Sequence, residues 1–131
     1  MWNRFYVIFF IFIILVDGIQ GTSTKDKPVN EFIDDLIHEN SVMVFSKTYC
    51  PYSKRAKKLL FDKYDVHPRH VLELDERKDM DEIQDYLSTV SGIHTVPQVF
   101  INGKFIGGAT DLEKLDKEGH LVRLLRRAKV L

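Results

Sequence analysis

Only one cysteine, Cys50, occurs in the 131 residues, so no disulfide can form within the chain and covalent staples are excluded. Neither sign of charge is in excess, with 19 Lys and Arg against 19 Asp and Glu. A chain without a net field has no compositional bias toward nucleic acid or other polyanions. Long apolar runs are scarce as well. The one uninterrupted run, Phe5 to Val16, covers only about 18 Å as a helix, well short of the ~30 Å hydrocarbon core of a bilayer. No internal repeat and no low-complexity tract is present. What remains is a 44% apolar chain of ordinary length, enough for a single packed domain.

The apolar run has a context of its own. Met1-Trp2-Asn3-Arg4 precedes it with one positive charge, and Asp17-Gly18-Ile19-Gln20-Gly21 follows with small and polar residues. A basic start, a short apolar centre and small residues near a cut are the parts of a signal peptide. Residues 1–21 are therefore expected to be a signal peptide, cut after Gly18 or Gly21, with an uncleaved membrane anchor as the alternative. Residues 22–27 read as a linker and residues 28–131 as the domain. This places the domain in the secretory pathway, in the lumen of the endoplasmic reticulum or Golgi or outside the cell. Small domains on that route usually pair their cysteines. A lone one is either an inert buried thiol or a reactive one, and its surroundings must decide.

From Pro28 the apolar residues Val29, Phe32, Ile33, Leu36 and Ile37 recur at helical spacing, to an end near Asn40. Val42-Met43-Val44-Phe45 is a nearly all-apolar run, the signature of a strand buried on both faces. Lys47 to Cys50 leaves it as a loop, and Pro51 occupies the first position of a helix continued by Ala56, Leu59, Leu60 and Tyr64. A strand is predicted over 70–74. A helix follows with Met80, Ile83, Tyr86, Leu87 and Val90 on its apolar stripe and Gly92 as its C-terminal cap. Val96 to Ile101, Asn102-Gly103 and Phe105-Ile106 read as a hairpin. Short helices over 111–117 and 121–129 close the chain. The order α-β-α-β-α-β-β-α predicts an α/β domain: a four-stranded mixed sheet, its first two strands parallel, flanked by helices on both faces.

Cys50 stands where a strand gives way to a helix. A thiolate there meets unpaired backbone N–H groups and the positive end of the helix dipole, with Lys47 close by. Both favour S⁻ over SH, and the thiolate is the form that attacks disulfides.

The segment Lys47-Thr48-Tyr49-Cys50-Pro51-Tyr52-Ser53 resembles the active site of the glutaredoxins. Thr95-Val96-Pro97, Gly107-Gly108-Ala109-Thr110-Asp111-Leu112 and Ile83-Gln84-Asp85-Tyr86-Leu87 resemble that family's other signatures, in the right order. The resemblance covers roughly residues 28–131. It implies a thioredoxin-like fold, glutathione as the reducing co-substrate and a cis bond before Pro97. Cys50 is then the catalytic residue. The implied glutathione contacts are Lys47 and Gln84 for the glycyl carboxylate, Thr95, Val96 and Pro97 for the cysteinyl backbone, and Thr110 and Asp111 for the γ-glutamyl end. Tyr52 flanks the thiol groove, and Gly108, with Gly107, either allows a close backbone approach or simply ends the hairpin.

Two departures shape the expected mechanism. Ser53 stands where many members carry a second cysteine, and Ala109 where some carry a further one. Monothiol exchange on glutathionylated proteins or small disulfides, by a monomer, is what remains. Membrane contact is expected only if the N-terminal segment is retained. Two other readings belong to different classes. One is a glutathione-ligated [2Fe–2S] cluster, to which the chain offers Cys50 alone, behind a stiffening Pro51. The other is a non-catalytic thioredoxin-fold binding module, for which the basic stretch Arg123, Arg126, Arg127 and Lys129 is the nearest feature; it reads instead as a solvated helix face.

Overall fold

The computed structural model describes residues 27–131. The expected signal segment (1–21) and all but the last residue of the expected linker (22–27) lie outside the described residues. The first helix, α1 (Val29–Glu39), starts after Pro28 and buries Ile33 and Ile37 fully. It leads into β1 (Val42–Ser46), every residue of which is buried. Alternate side chains of β1 serve two separate cores, because successive residues of a strand point to opposite faces. Val42 and Val44 join Leu60, Val99, Ile101, Leu112, Leu121 and Leu125 on one face. Met43 and Phe45 join Ile33, Ile37, Leu74, Ile83, Leu87 and Phe100 on the other. The all-apolar run is thus accounted for by helices on both sides of the sheet.

Helix α2 (Pro51–Lys57) widens into a π-helical stretch over Lys58–Lys63, in which the Tyr64 N–H reaches back to the Leu59 carbonyl at 3.3 Å. This wide turn brings Phe61 as well as Leu60 into the core, where the sequence pattern pointed to Ala56, Leu59, Leu60 and Tyr64. The predicted strand over 70–74 is shorter: β2 is Val71–Glu73, and Leu74–Glu76 forms a 3₁₀ turn instead. Leu74 is fully buried and rolls into the core beneath the sheet rather than continuing along its edge.

Helix α3 (Met80–Ser91) ends at Gly92, whose φ of +80° is the left-handed cap the sequence predicted. Strands β3 (Gln98–Ile101) and β4 (Lys104–Gly107) form the expected hairpin. Asn102 (φ +49°) and Gly103 (φ +75°) make its two-residue turn, with both central residues at positive φ as a type I′ turn requires. Helices α4 (Ala109–Lys117) and α5 (His120–Arg127) complete the chain, and Arg123, Arg126, Arg127 and Lys129 are exposed. The sheet runs β2-β1-β3-β4, parallel between β1 and β2 and antiparallel elsewhere. This is the predicted thioredoxin-like architecture.

Phe100 is a keystone of the α1–α3 side: it is 1% exposed and meets Phe45 edge-on at 5.7 Å and Phe105 at 5.4 Å. Truncating a buried phenylalanine leaves a cavity that a close-packed core closes only in part. Phe100→Ala is expected to destabilise the domain by about 3–5 kcal/mol, read by urea unfolding with an unchanged slope.

Candidate functional site

Cys50 is the N-cap residue of α2, with extended backbone (φ −76°, ψ 121°), and Pro51 follows it at the first helical position. Its N–H is held by the Lys47 carbonyl at 3.1 Å, which curls the loop so that the side chain is half-buried over the helix start. Partial burial pushes the thiol upward in pKa. It is outweighed by the Ser53 hydroxyl, the N–H groups of Ser53 and Tyr52, and the Lys47 charge, so the thiol sits below its ordinary value. Ser53 is fully buried. Its oxygen accepts the Lys47 N–H at 3.3 Å, which leaves the hydroxyl hydrogen to donate to the sulfur.

Across from the thiol runs the loop before β3. The Val96–Pro97 bond is cis, as the sequence implied, and the Cys50 thiol donates to the Val96 carbonyl with Sγ 3.8 Å away. A second cis bond, His67–Pro68, lies outside this region and was not foreseen. Gln98, fully buried at the head of β3, donates its amide to the carbonyls of Ile93 (2.9 Å) and Thr95 (3.1 Å) and so fixes the loop from below.

Between that loop, α2 and the start of α4 opens a cavity of 340 Å³ lined by Tyr52, Ile93, Thr95, Val96, Pro97, Gly108, Ala109, Thr110 and Asp111. Its far wall depends on Gly107. With φ at +135°, and with Asp111 Cγ within 2.6 Å of where a Cβ would be, Gly107 has room for no side chain. Asp111 in turn accepts the Gly108 N–H at 2.9 Å and caps α4. Gly108 itself has only an ordinary contact with the Pro97 carbonyl, so Gly107 rather than Gly108 is the glycine that the backbone demands. Lys47 and Gln84 are not on the cavity wall. They meet each other, Lys47 Nζ donating to Gln84 Oε1 at 3.1 Å, while Gln84 Nε2 donates to the His94 carbonyl at 2.7 Å. α3 does therefore approach the loop, as the joint role expected of these two residues requires.

The sequence model of the family described as Glutaredoxin matches residues 42–106. Monothiol glutaredoxin-S6 of Oryza sativa subsp. japonica is 40% identical over 115 residues, 88% of this chain and 86% of that protein. The chain belongs to the glutaredoxin family. Among solved structures it is similar to the buckwheat glutaredoxin–glutathione complex, at 39% identity and a TM-score of 0.74 over 79% of this chain and 92% of that one. Oxidized glutaredoxin 2 from Chlamydomonas reinhardtii gives the same TM-score of 0.74 at 40% identity, over 79% and 95% of the respective chains.

Several groups in and around this glutaredoxin's groove went unread in the sequence. Arg55 lies 5.2 Å from the centre of the Tyr52 ring and makes a two-pronged ion pair with Glu113, its Nε at 2.8 Å, tying α2 to α4. Ile93 joins the lining, and Asp75 accepts hydrogen bonds from Thr48. Arg55, Glu113 and Asp75 are joined to their partners over long sequence separations, and no local pattern announces them. Ser53 did carry a signal: a hydroxyl three residues beyond the helix-capping thiol lies within its reach.

Ser53→Ala removes a donor to an anion, a loss on the order of 1.5 kcal/mol. The thiolate fraction of Cys50 near neutral pH is expected to fall about tenfold. Alkylation rates measured against pH check this, with the profile moving to higher pH.

Proposed function

We propose that this glutaredoxin is a glutathione-dependent thiol–disulfide oxidoreductase that works by a monothiol route through Cys50. The observation that carries the reading is a thiol held below its ordinary pKa beside the 340 Å³ groove. The groove, with the Lys47–Gln84 pair beside it, offers what each part of glutathione calls for. Lys47, aimed by Gln84, supplies the cation for the glycyl carboxylate, and Gln84 keeps a second amide N–H for the same group. Val96, before the cis-proline, presents its backbone to the cysteinyl unit. The first N–H groups of α4, around Thr110, receive the γ-glutamyl carboxylate, and Asp111 receives the ammonium while its other oxygen caps the helix. Thr95, Pro97, Gly108 and Tyr52 form the walls.

In the first step the Cys50 thiolate attacks the glutathione sulfur of a protein–glutathione mixed disulfide. A Cys50–glutathione disulfide forms as the sulfur–sulfur bond between protein and glutathione breaks, and its electron pair leaves on the protein sulfur, which takes a proton from water. In the second step a glutathione thiolate attacks the glutathione sulfur of Cys50–SSG. Cys50 leaves as the thiolate, and oxidised glutathione departs. One protein–glutathione mixed disulfide is reduced, and two glutathione sulfurs end up bonded to each other. Both steps reverse, so an oxidising glutathione pool drives glutathionylation instead.

Iron–sulfur clusters are held by cysteine thiolates, commonly four. Cys50 gives one per chain, so a cluster would take Cys50 from each of two chains and the thiolates of two glutathiones, and no step is assigned to it.

Activity on a glutathionylated peptide is the test. Cys50→Ser is expected to abolish turnover, and Lys47→Ala to raise the KM for glutathione about tenfold, the loss of one charge-assisted bond. Activity surviving in Cys50→Ser would overturn the reading. We also propose that residues 1–21 direct the chain into the secretory pathway. Mass spectrometry of the mature N-terminus is expected to find it after Gly18 or Gly21; an intact Met1 in a membrane fraction would establish the anchor instead.

A further inference from the structure

Asp75 stands outside the groove, on the 3₁₀ turn that follows β2. Its carboxylate takes both donors of Thr48: the N–H at 2.9 Å on Oδ1, and the hydroxyl on Oδ2. Thr48 lies between Lys47 and Tyr49, two residues before the thiol. Within the loop, the Cys50 N–H bonds the Lys47 carbonyl and the Lys47 N–H bonds Ser53, both inside the β1–α2 unit. Among the described residues, the Thr48 N–H is the backbone group that ties loop 47–49 to an element beyond that unit. Two bonds to the two oxygens of one carboxylate fix rotation as well as position.

The turn that presents Asp75 is itself held firmly. Leu74 is fully buried, and the Arg77 N–H closes the turn on the Leu74 carbonyl at 3.1 Å. The Arg77 guanidinium grips Asp79 with two bonds of 2.8 and 2.7 Å and lies 4.7 Å from the centre of the Phe32 ring. Asp75 is therefore displayed from a rigid base, not from a loose loop. A few residues on, α3 brings Gln84 to Lys47 Nζ. The segment after β2 thus touches the active loop twice, once at its backbone and once at its cation.

We propose that Asp75 is a positioning residue for thiol exchange: through Thr48 it holds the Lys47–Cys50 loop in the setting where the Lys47 cation and the Cys50 sulfur face the same glutathione. This rests on the reading of the groove given above. The Thr48 hydroxyl, followed by the Thr48 N–H, holds the Asp75 carboxyl below its usual range, so it remains an ionised acceptor throughout the neutral range. The Lys47 charge acts on both the Asp75 carboxylate and the Cys50 thiol, so Asp75 bears on the sulfur through Lys47 and through the placement of the loop.

The test compares Asp75→Ala, Thr48→Val and Thr48→Ser with the unaltered full chain. Loss of both bonds in Asp75→Ala is expected to lower kcat/KM for glutathione about tenfold, mainly through KM. The pH profile of Cys50 alkylation is expected to move to higher pH as Lys47 loses its aim. Thr48→Val, which removes only an exposed hydroxyl, is expected to give a smaller change in the same direction, and Thr48→Ser to recover most of that loss. If Asp75→Ala and Thr48→Val both keep the wild-type KM and alkylation profile, the proposal falls. It also falls if activity drops only in step with the thermal midpoint while the profile stays put, since that marks a structural role. An alkylation profile that moves in a protein with no glutathione exchange would keep the clamp and overturn the functional reading.

Discussion

A sulfur anion at the edge of a protein core needs donors, and the fold is arranged so that Cys50 has them. Where β1 ends and α2 begins, the first amide groups of the helix have no partner further back in the chain. Cys50 caps that end, so the Tyr52 and Ser53 N–H groups act on its sulfur. Burial works against the charged form here, and the hydroxyl and amide donors together prevail over it. Every other part of the groove is placed relative to this sulfur: the cis-proline loop opposite, the capped start of α4 beyond it, and the Lys47–Gln84 pair to the side.

Such placement needs a rigid base, and the sheet provides it. β1 is buried on both faces, so a shift of one residue in its register would exchange the two cores and bring every side chain to the wrong helices. The thiol follows the end of a strand that is buried along its whole length. The walls of the groove are then tied to one another by polar contacts at the rim. Arg55 and Glu113 join α2 to α4, and Gln98 carries the loop before β3. The exposed Arg55–Glu113 pair contributes little to stability, yet it links the two helices that flank the opening.

Ser53 shows how one substitution can alter chemistry without altering shape. A cysteine there would offer a second sulfur for an internal disulfide. A hydroxyl cannot be oxidised in that way, but it is a better hydrogen-bond donor than a thiol. Fully buried, with its oxygen engaged by the Lys47 N–H, it has one hydrogen left and an anion within reach. The same atom group therefore offers no second sulfur and supports the thiolate that the proposed monothiol route uses.

Much of this was legible in the chain, because it depends on neighbours in sequence. The apolar run at Val42–Phe45 gave the two-faced strand, Asn102-Gly103 the hairpin turn, Gly92 the helix stop, and Cys50-Pro51 the helix start beneath the thiol. Helix spacing, turn chemistry and capping act over a few residues, so the sequence alone determined the element order, the mixed sheet and the position of the sulfur. The tertiary structure decided the rest. It cut the second strand short to bury Leu74, widened α2 into a π turn to bury Phe61, and made Gly107 the indispensable glycine by packing Asp111 against it. It also brought Asp75 to Thr48 and Glu113 to Arg55, contacts that span 27 and 58 residues. Contacts of that length exist only once separate elements pack at a fixed angle and distance, and no local pattern of residues encodes that packing.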